Sequence, residues 1–199
     1  MQKQKMFKFD YSYLSLPAQF YSLTDANIFP NPEVILINQS LLNRFNLLIN
    51  NKDDLANLLL EKSKINTSFS QAYAGHQFGY FTKLGDGRTI ILGEHITEDK
   101  QRFDVQLKGS GKTPYSRSGD GKATFKSMLR EYLISEAMHY LNIPSSRSLT
   151  VIKTGEQIQR QTTQEGGILA RVMKSHIRIG TFEYASYYCS KENLNTLTY

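Results

Sequence analysis

An α+β domain, built as an antiparallel sheet with one helix packed on it, is what this sequence predicts. Extended, largely alternating runs fill residues 77–108 and 148–172, and one stretch of helical length, Phe125 to Leu141, separates them. Asp-Gly and Gly-Gly clusters punctuate the extended runs where turns are needed. At 199 residues, 40% hydrophobic and 21% charged, the chain has the composition of one packed domain with room for an extension.

Residues 1–35 are aromatic and broken by prolines (Phe7, Phe9, Tyr11, Tyr13, Pro17, Phe20, Tyr21, Pro30, Pro32). They are expected to wrap over a core without forming regular elements of their own. Short helices follow at about Gln39–Phe45 and Asp53–Glu61, the second opened by two acids suited to the positive end of a helix. Phe78–Leu84 and Arg88–Ile96 flank Gly85-Asp86-Gly87 and predict a hairpin about that turn. Arg102–Lys108 alternates, with Phe103, Val105 and Leu107 on one face and Asp104, Gln106 and Lys108 on the other. Residues 109–122 hold four glycines, serines, a proline and several bases, and read as a loop that orders on a ligand. After the helix, stopped by Asn142-Ile-Pro144, three strands are expected at Ser148–Lys153, Gln157–Thr162 and Ile168–Val172. Gly155-Glu156 and Glu165-Gly166-Gly167 would supply their turns.

The charge is one-sided. Residues 1–100 carry 10 Lys and Arg against 10 Asp and Glu, whereas 101–199 carry 14 against 8, so the net +6 belongs to the second half. Between Lys108 and Arg130 stand six bases and one acid, Asp120, which points to an anionic partner such as a nucleotide, a nucleic acid or an acidic surface. One cysteine, Cys189, excludes an internal disulfide and suits a reducing compartment. There is no apolar stretch of membrane-spanning length and no secretory signal, so a soluble, cytoplasmic protein with no membrane partner is expected.

Gly109-Ser-Gly-Lys-Thr113 invites a P-loop reading that fails. Gln106 stands where its first glycine belongs, and Pro114 blocks a helix starting at Lys112-Thr113. Lys108, taken alone, is an ordinary solvated lysine, but the helix that follows brings acids back toward it. Glu131 falls on an apolar flank beside Ile134 and Met138, where an unpaired carboxylate is costly. Glu136 falls among Phe125, Leu129 and Tyr132, and periodicity does not choose between the two acids. Arg171 and Arg178, just beyond a strand, suit either a phosphate clamp or acidic neighbours. His76, His176 and Cys189 show no metal-ligand spacing and read as structural.

Five stretches taken together resemble the selenoprotein O (SelO/YdiU) family. They are Gln71–Gly79, Leu84–Glu94, Asp104–Arg117, Leu129–Met138 and Ser175–Phe182, and the resemblance runs in order from about residue 10 to 190. It implies a protein-kinase-like fold and transfer of AMP from ATP, with magnesium, to Ser, Thr or Tyr hydroxyls of protein substrates, the nucleotide lying reversed relative to kinases. It implies Lys108 as the phosphate lysine and Glu131 as its helical partner. Gly85, Gly87, Arg88, Asp120, Gly121, Arg171 and Arg178 would contact nucleotide. On this reading residues 1–70 are an extension, 71–175 the nucleotide-binding N-terminal lobe and 176–199 the start of the join to a second lobe. The family's general base and magnesium ligands belong to that C-terminal lobe, so no metal ligand is expected among these 199 residues. A truncated reading frame or half of a split gene, weak in binding and inactive without a separately encoded C-terminal half, is the resulting expectation. The alternatives are a non-catalytic remnant or basic binding module, and an ATP-dependent protein kinase. A nucleic-acid partner is disfavoured because the bases cluster in one loop without interleaved aromatics.

Overall fold

A computed structural model describes residues 6–63, 67–77 and 79–198. The elements in chain order are β1 (Phe9–Asp10), β2 (Tyr21–Leu23), β3 (Glu33–Ile37), α1 (Gln39–Arg44), α2 (Lys52–Lys62), β4 (Phe69–Gln77), β5 (Tyr80–Gly85), β6 (Thr89–Ile96), β7 (Arg102–Lys108), α3 (Phe125–Tyr140), β8 (Arg147–Gln159), β9 (Thr163–Met173), α4 (Ile179–Tyr188) and α5 (Lys191–Thr198). The strands form a nine-stranded antiparallel sheet in the order β2-β4-β6-β7-β9-β8-β3, with β1 on β6 and β5 on β4. The α+β class therefore holds.

Both faces of the sheet are covered. Ile90 and Leu92 of β6, Val105 and Leu107 of β7 and Ile168 of β9 join Leu55 and Leu59 of α2 in the largest core cluster. On the opposite face, Leu169 of β9 meets Met128 of α3 and Val151 of β8. Ile91 meets Phe20, Phe69 and Tyr184 of α4 in a third cluster. The single-residue alternation of β6 and β9 thus feeds two cores. Asn38, Asn51 and Thr124 cap α1, α2 and α3 with their side chains, each accepting a backbone N–H from the first turn. Helix α3 buries only Met128 completely; Leu133 and Ile134 are 61% and 57% exposed, so its apolar surface is wider than the strip that the sheet covers.

Three expectations are corrected. The N-terminal segment contributes three strands, because its aromatics bury Phe7 and Phe20 while its backbone completes the open edges beside β6, β4 and β8. Glu94 anchors it, accepting from Ser12 Oγ at 2.6 Å and from the Tyr13 amide at 2.9 Å. Next, β5 pairs with β4, not β6, so Gly85-Asp86-Gly87 is a corner between strand pairs. Asp86 is 2% exposed and spends its carboxylate on the Gln71 amide and Arg178, tertiary partners that override a local turn. After α3 there are two long strands, not three. Gly155 (φ +75°) sits in a bulge of β8, and the real turn lies at Arg160–Thr162. Gly166 and Gly167 stay inside β9, where a Cβ on Gly167 would lie 2.6 Å from the Phe125 Cα. The face of β7 that carries Asp104 and Gln106 is buried too: they are 8% and 0% exposed, each with a side-chain partner on or just after β9.

Candidate functional site

Lys108 ends β7, and α3 lies across the neighbouring strands β8 and β9. That packing brings Glu131, in the second turn of the helix, over the strand end, where its Oε1 lies 2.5 Å from the Lys108 Nζ. The side chains are 16% and 33% exposed, so this is a half-sheltered pair. Glu136 lies five residues on, about 140° around the helix. It accepts from Arg147, the Ser148 amide and Asn38, which settles the choice that periodicity left open. Burial pushes the Lys108 ammonium below the usual lysine pKa, aided by nearby Arg171 and opposed by Glu131. Arg171 stands opposite Gln106 across β7 and β9, donates to the Gln106 Oε1 and lies 3.9 Å from the Glu131 Oε2. Its own pKa is lowered, chiefly by burial.

The 85–88 corner forms the next wall. Arg178, the N-cap of α4, donates to the Asp86 Oδ1 at 3.2 Å and stacks 4.7 Å over the Tyr73 ring. The 109–122 loop is laced to this corner, with Thr113 Oγ1 donating to the Asp86 carbonyl at 2.7 Å and Ser116 Oγ to the Gly87 carbonyl at 2.6 Å. Close approach explains the glycines here: a Cβ on Gly85 would lie 2.3 Å from the Tyr115 ring, and one on Gly87 2.9 Å from the Tyr115 carbonyl oxygen. Arg88 follows and, among the described residues, its guanidinium has no ion-pair partner.

The loop closes at Asp120 and Gly121. Arg160 forks onto Asp120, Nη1 to Oδ2 at 2.8 Å and Nη2 to Oδ1 at 3.0 Å. This pairing holds the carboxyl below the usual aspartate range. Gly121 has φ +69°, and a Cβ there would lie 2.0 Å from the Gly111 carbonyl oxygen. Lys122 pairs with Glu156 at 2.7 Å.

These walls enclose a cleft of about 770 Å³. Gly87, Arg88, Lys108, Asp120, Gly121, Arg171 and Arg178 line it. Gly85 faces a smaller neighbouring hollow, and Glu131 reaches the cleft through Lys108 and Arg171. Arg160 had no role in the sequence reading and comes from a segment with no charge pattern, whereas Tyr73, Thr89 and Ser118 fall within stretches marked there, also without roles. Asp86 and Lys122 lay inside motifs that had been singled out, without roles. The lining carries six cations (Arg88, Lys108, Lys122, Arg160, Arg171, Arg178) against Asp86 and Asp120, which suits a polyanion.

A magnesium ion fits these residues poorly, because Asp86, Asp120 and Glu131 are each already committed to a cation of the chain. Among the described residues no group of three or more His, Cys, Asp and Glu is placed to hold a metal. His176 is buried against Asp104, His76 rests on Phe81, and burial raises the pKa of Cys189. No helix among the described residues is long and apolar enough to cross a membrane.

A family model described as protein adenylyltransferase SelO matches residues 4–199. Proteins named protein nucleotidyltransferase YdiU are similar along nearly the whole chain. The one from Pelagibacter ubique is 50% identical over 196 residues, covering 95% of this chain and 39% of its own length. That from Clostridium botulinum (strain Hall) is 53% identical over 190 residues, covering 94% and 39%. That from Clostridium perfringens is 48% identical over 200 residues, covering 98% and 41%. The chain thus spans about two fifths of the length of the curated relatives it matches.

Proposed function

The chain belongs to the protein adenylyltransferase SelO family, and on that premise we propose that its basic cleft is the ATP-binding part of a protein adenylyltransferase. The observation that carries the reading is the Lys108–Glu131 pair at the wall of the cleft. A strand lysine fixed by a helical glutamate is how protein kinases hold the phosphates of ATP, and it supports a kinase-like lobe. The reaction is attack by a Ser, Thr or Tyr hydroxyl of a protein substrate on the α-phosphorus of ATP. The bond from that phosphorus to the bridging oxygen breaks, and pyrophosphate leaves.

The residues of this chain bind and neutralise. Lys108 supplies a point charge oriented by Glu131, while Arg171 and Arg178 present donors fixed by Gln106, Asp86 and Tyr73. Arg88 brings charge that no acid of the described chain offsets, and Gly87 and Gly121 let the backbone approach phosphate closely. Magnesium, when bound with ATP, neutralises phosphate charge. In this proposal its ligands and the general base come from the part of the relatives that this chain does not span.

The test is incubation with a protein substrate and ATP labelled at either the α- or the γ-phosphate. It is run with this chain alone and with the remaining portion of a relative co-expressed. Transfer of the α-label to protein is the expected result. Transfer of the γ-label instead would make the protein a kinase, and no transfer in either arrangement would overturn the proposal.

A further inference from the structure

Resting on the nucleotide-cleft reading, we propose that Arg160, at the tip of the β8–β9 hairpin, is a positioning residue that locks the 109–122 loop over the polyphosphate end of the cleft through Asp120. Three bonds converge on this guanidinium from the loop. Both Asp120 oxygens accept from it, at 2.8 and 3.0 Å, and so does the Lys122 carbonyl at 3.2 Å. The Asp120 Oδ1 also accepts the Lys122 amide at 3.0 Å, so a single carboxylate ties the loop to itself and to the hairpin. A second cross-link, Lys122 to Glu156, joins the same loop end to the same hairpin.

Sequence distance makes these links informative. Arg160 is 40 residues from Asp120, and Glu156 is 34 from Lys122, so neither pair is a by-product of local turn geometry. The loop is closed from its other side by the Gly111 amide on the Gly121 carbonyl at 3.2 Å and by the Thr113 and Ser116 hydroxyls on the 86–87 corner. Arg160 lies in the turn before β9 and Arg171 near the other end of that strand, so the two arginines reach the cleft from different parts of the hairpin. A planar fork holds two oxygens in one orientation, which a lysine does not. With three of about four acceptor sites engaged, Asp120 acts as the strut of the loop, while its neighbour Gly121 lines the cleft with its backbone.

The test compares this chain with Arg160→Ala, Asp120→Ala, the double variant and the exchanged pair Asp120→Arg with Arg160→Asp. Amide hydrogen exchange across residues 109–122 and ATP affinity by equilibrium dialysis are measured at fixed salt. Each single alanine variant is expected to speed loop exchange and weaken ATP binding by roughly three- to tenfold. The double variant should be no worse than the worse single, and the exchanged pair should restore loop protection. Unchanged loop exchange in Arg160→Ala overturns the proposal. Losses of ATP affinity that multiply in the double variant also overturn it, because Arg160 would then be touching the nucleotide itself. A wild-type chain that binds no ATP sinks the functional reading and the affinity effect with it, while the exchange comparison still decides whether Arg160 fixes the loop.

Discussion

Replacing Lys108 with Met separates the role of this lysine in binding from any role in stability. The side chain keeps an unbranched apolar stem, one atom shorter, and loses its charge. Glu131 is left one third exposed, with Arg171 3.9 Å away and water to solvate it, so the fold should lose less than about 1 kcal/mol. For a domain of this size that is a fall in Tm of no more than about 4 °C. Binding is hit harder. A charge-assisted hydrogen bond to phosphate contributes about 1.5–3 kcal/mol, so ATP affinity should drop roughly 10- to 150-fold. Glu131→Gln reverses the pattern, since it leaves Lys108 and Arg171 facing each other without their shared acid. The full cost of breaking a buried pair is about 3–5 kcal/mol, and the partial exposure of Glu131 reduces this to about 1–2 kcal/mol, or a Tm lower by about 2–8 °C. Calorimetric titration with ATP and thermal unfolding read the two effects separately. A folded Lys108→Met chain that binds ATP within threefold of wild type would refute the assignment of this lysine to phosphate.

Three other outcomes are expected. The pKa of Lys108 lies below the usual lysine value, mainly through burial, so the fold disfavours its charged form. That penalty on stability is full below the folded pKa and is relieved as pH rises toward the unfolded value. ATP affinity, which needs the ammonium, should therefore fall at a lower pH than an ordinary lysine would dictate, and Lys108→Arg should flatten the profile; parallel titration curves would contradict this. Gly121→Ala forces a Cβ into the Gly111 carbonyl at positive φ, and should cost about 1–3 kcal/mol by chemical denaturation along with loop protection in hydrogen exchange. Met128→Ala empties the one wholly buried position of α3 and should cost about 2–5 kcal/mol; a loss under 1 kcal/mol in urea unfolding would show that α3 is not anchored there.

Much of this molecule was legible in the residue order, and its failures have physical causes. Both short N-terminal helices, β7 to its last residue and α3 to within one residue could be read, because their periods and caps are local properties. The 85–87 turn misled because Asp-Gly signals a tight turn equally well whether or not the flanking strands pair. The bulge at Gly155 looked like a turn because a glycine at positive φ serves both. The N-terminal strands have no alternation long enough to be seen, and they exist because the sheet edge needs hydrogen-bond partners.

Composition and order alone determined an α+β chain with its positive charge massed between Lys108 and Arg130, and the family resemblance attached Lys108 and Glu131 to a nucleotide. Only the tertiary structure decided which acid faces the lysine, since residues 131 and 136 point about 140° apart and both flanks of the helix look apolar in sequence. It also brought Arg160 into the cleft, from a position that carries no signal of its own, and set Tyr73 beneath Arg178. A side chain's role in a cleft depends on which distant backbone it meets, and that is fixed by sheet register and helix docking, not by its neighbours along the chain.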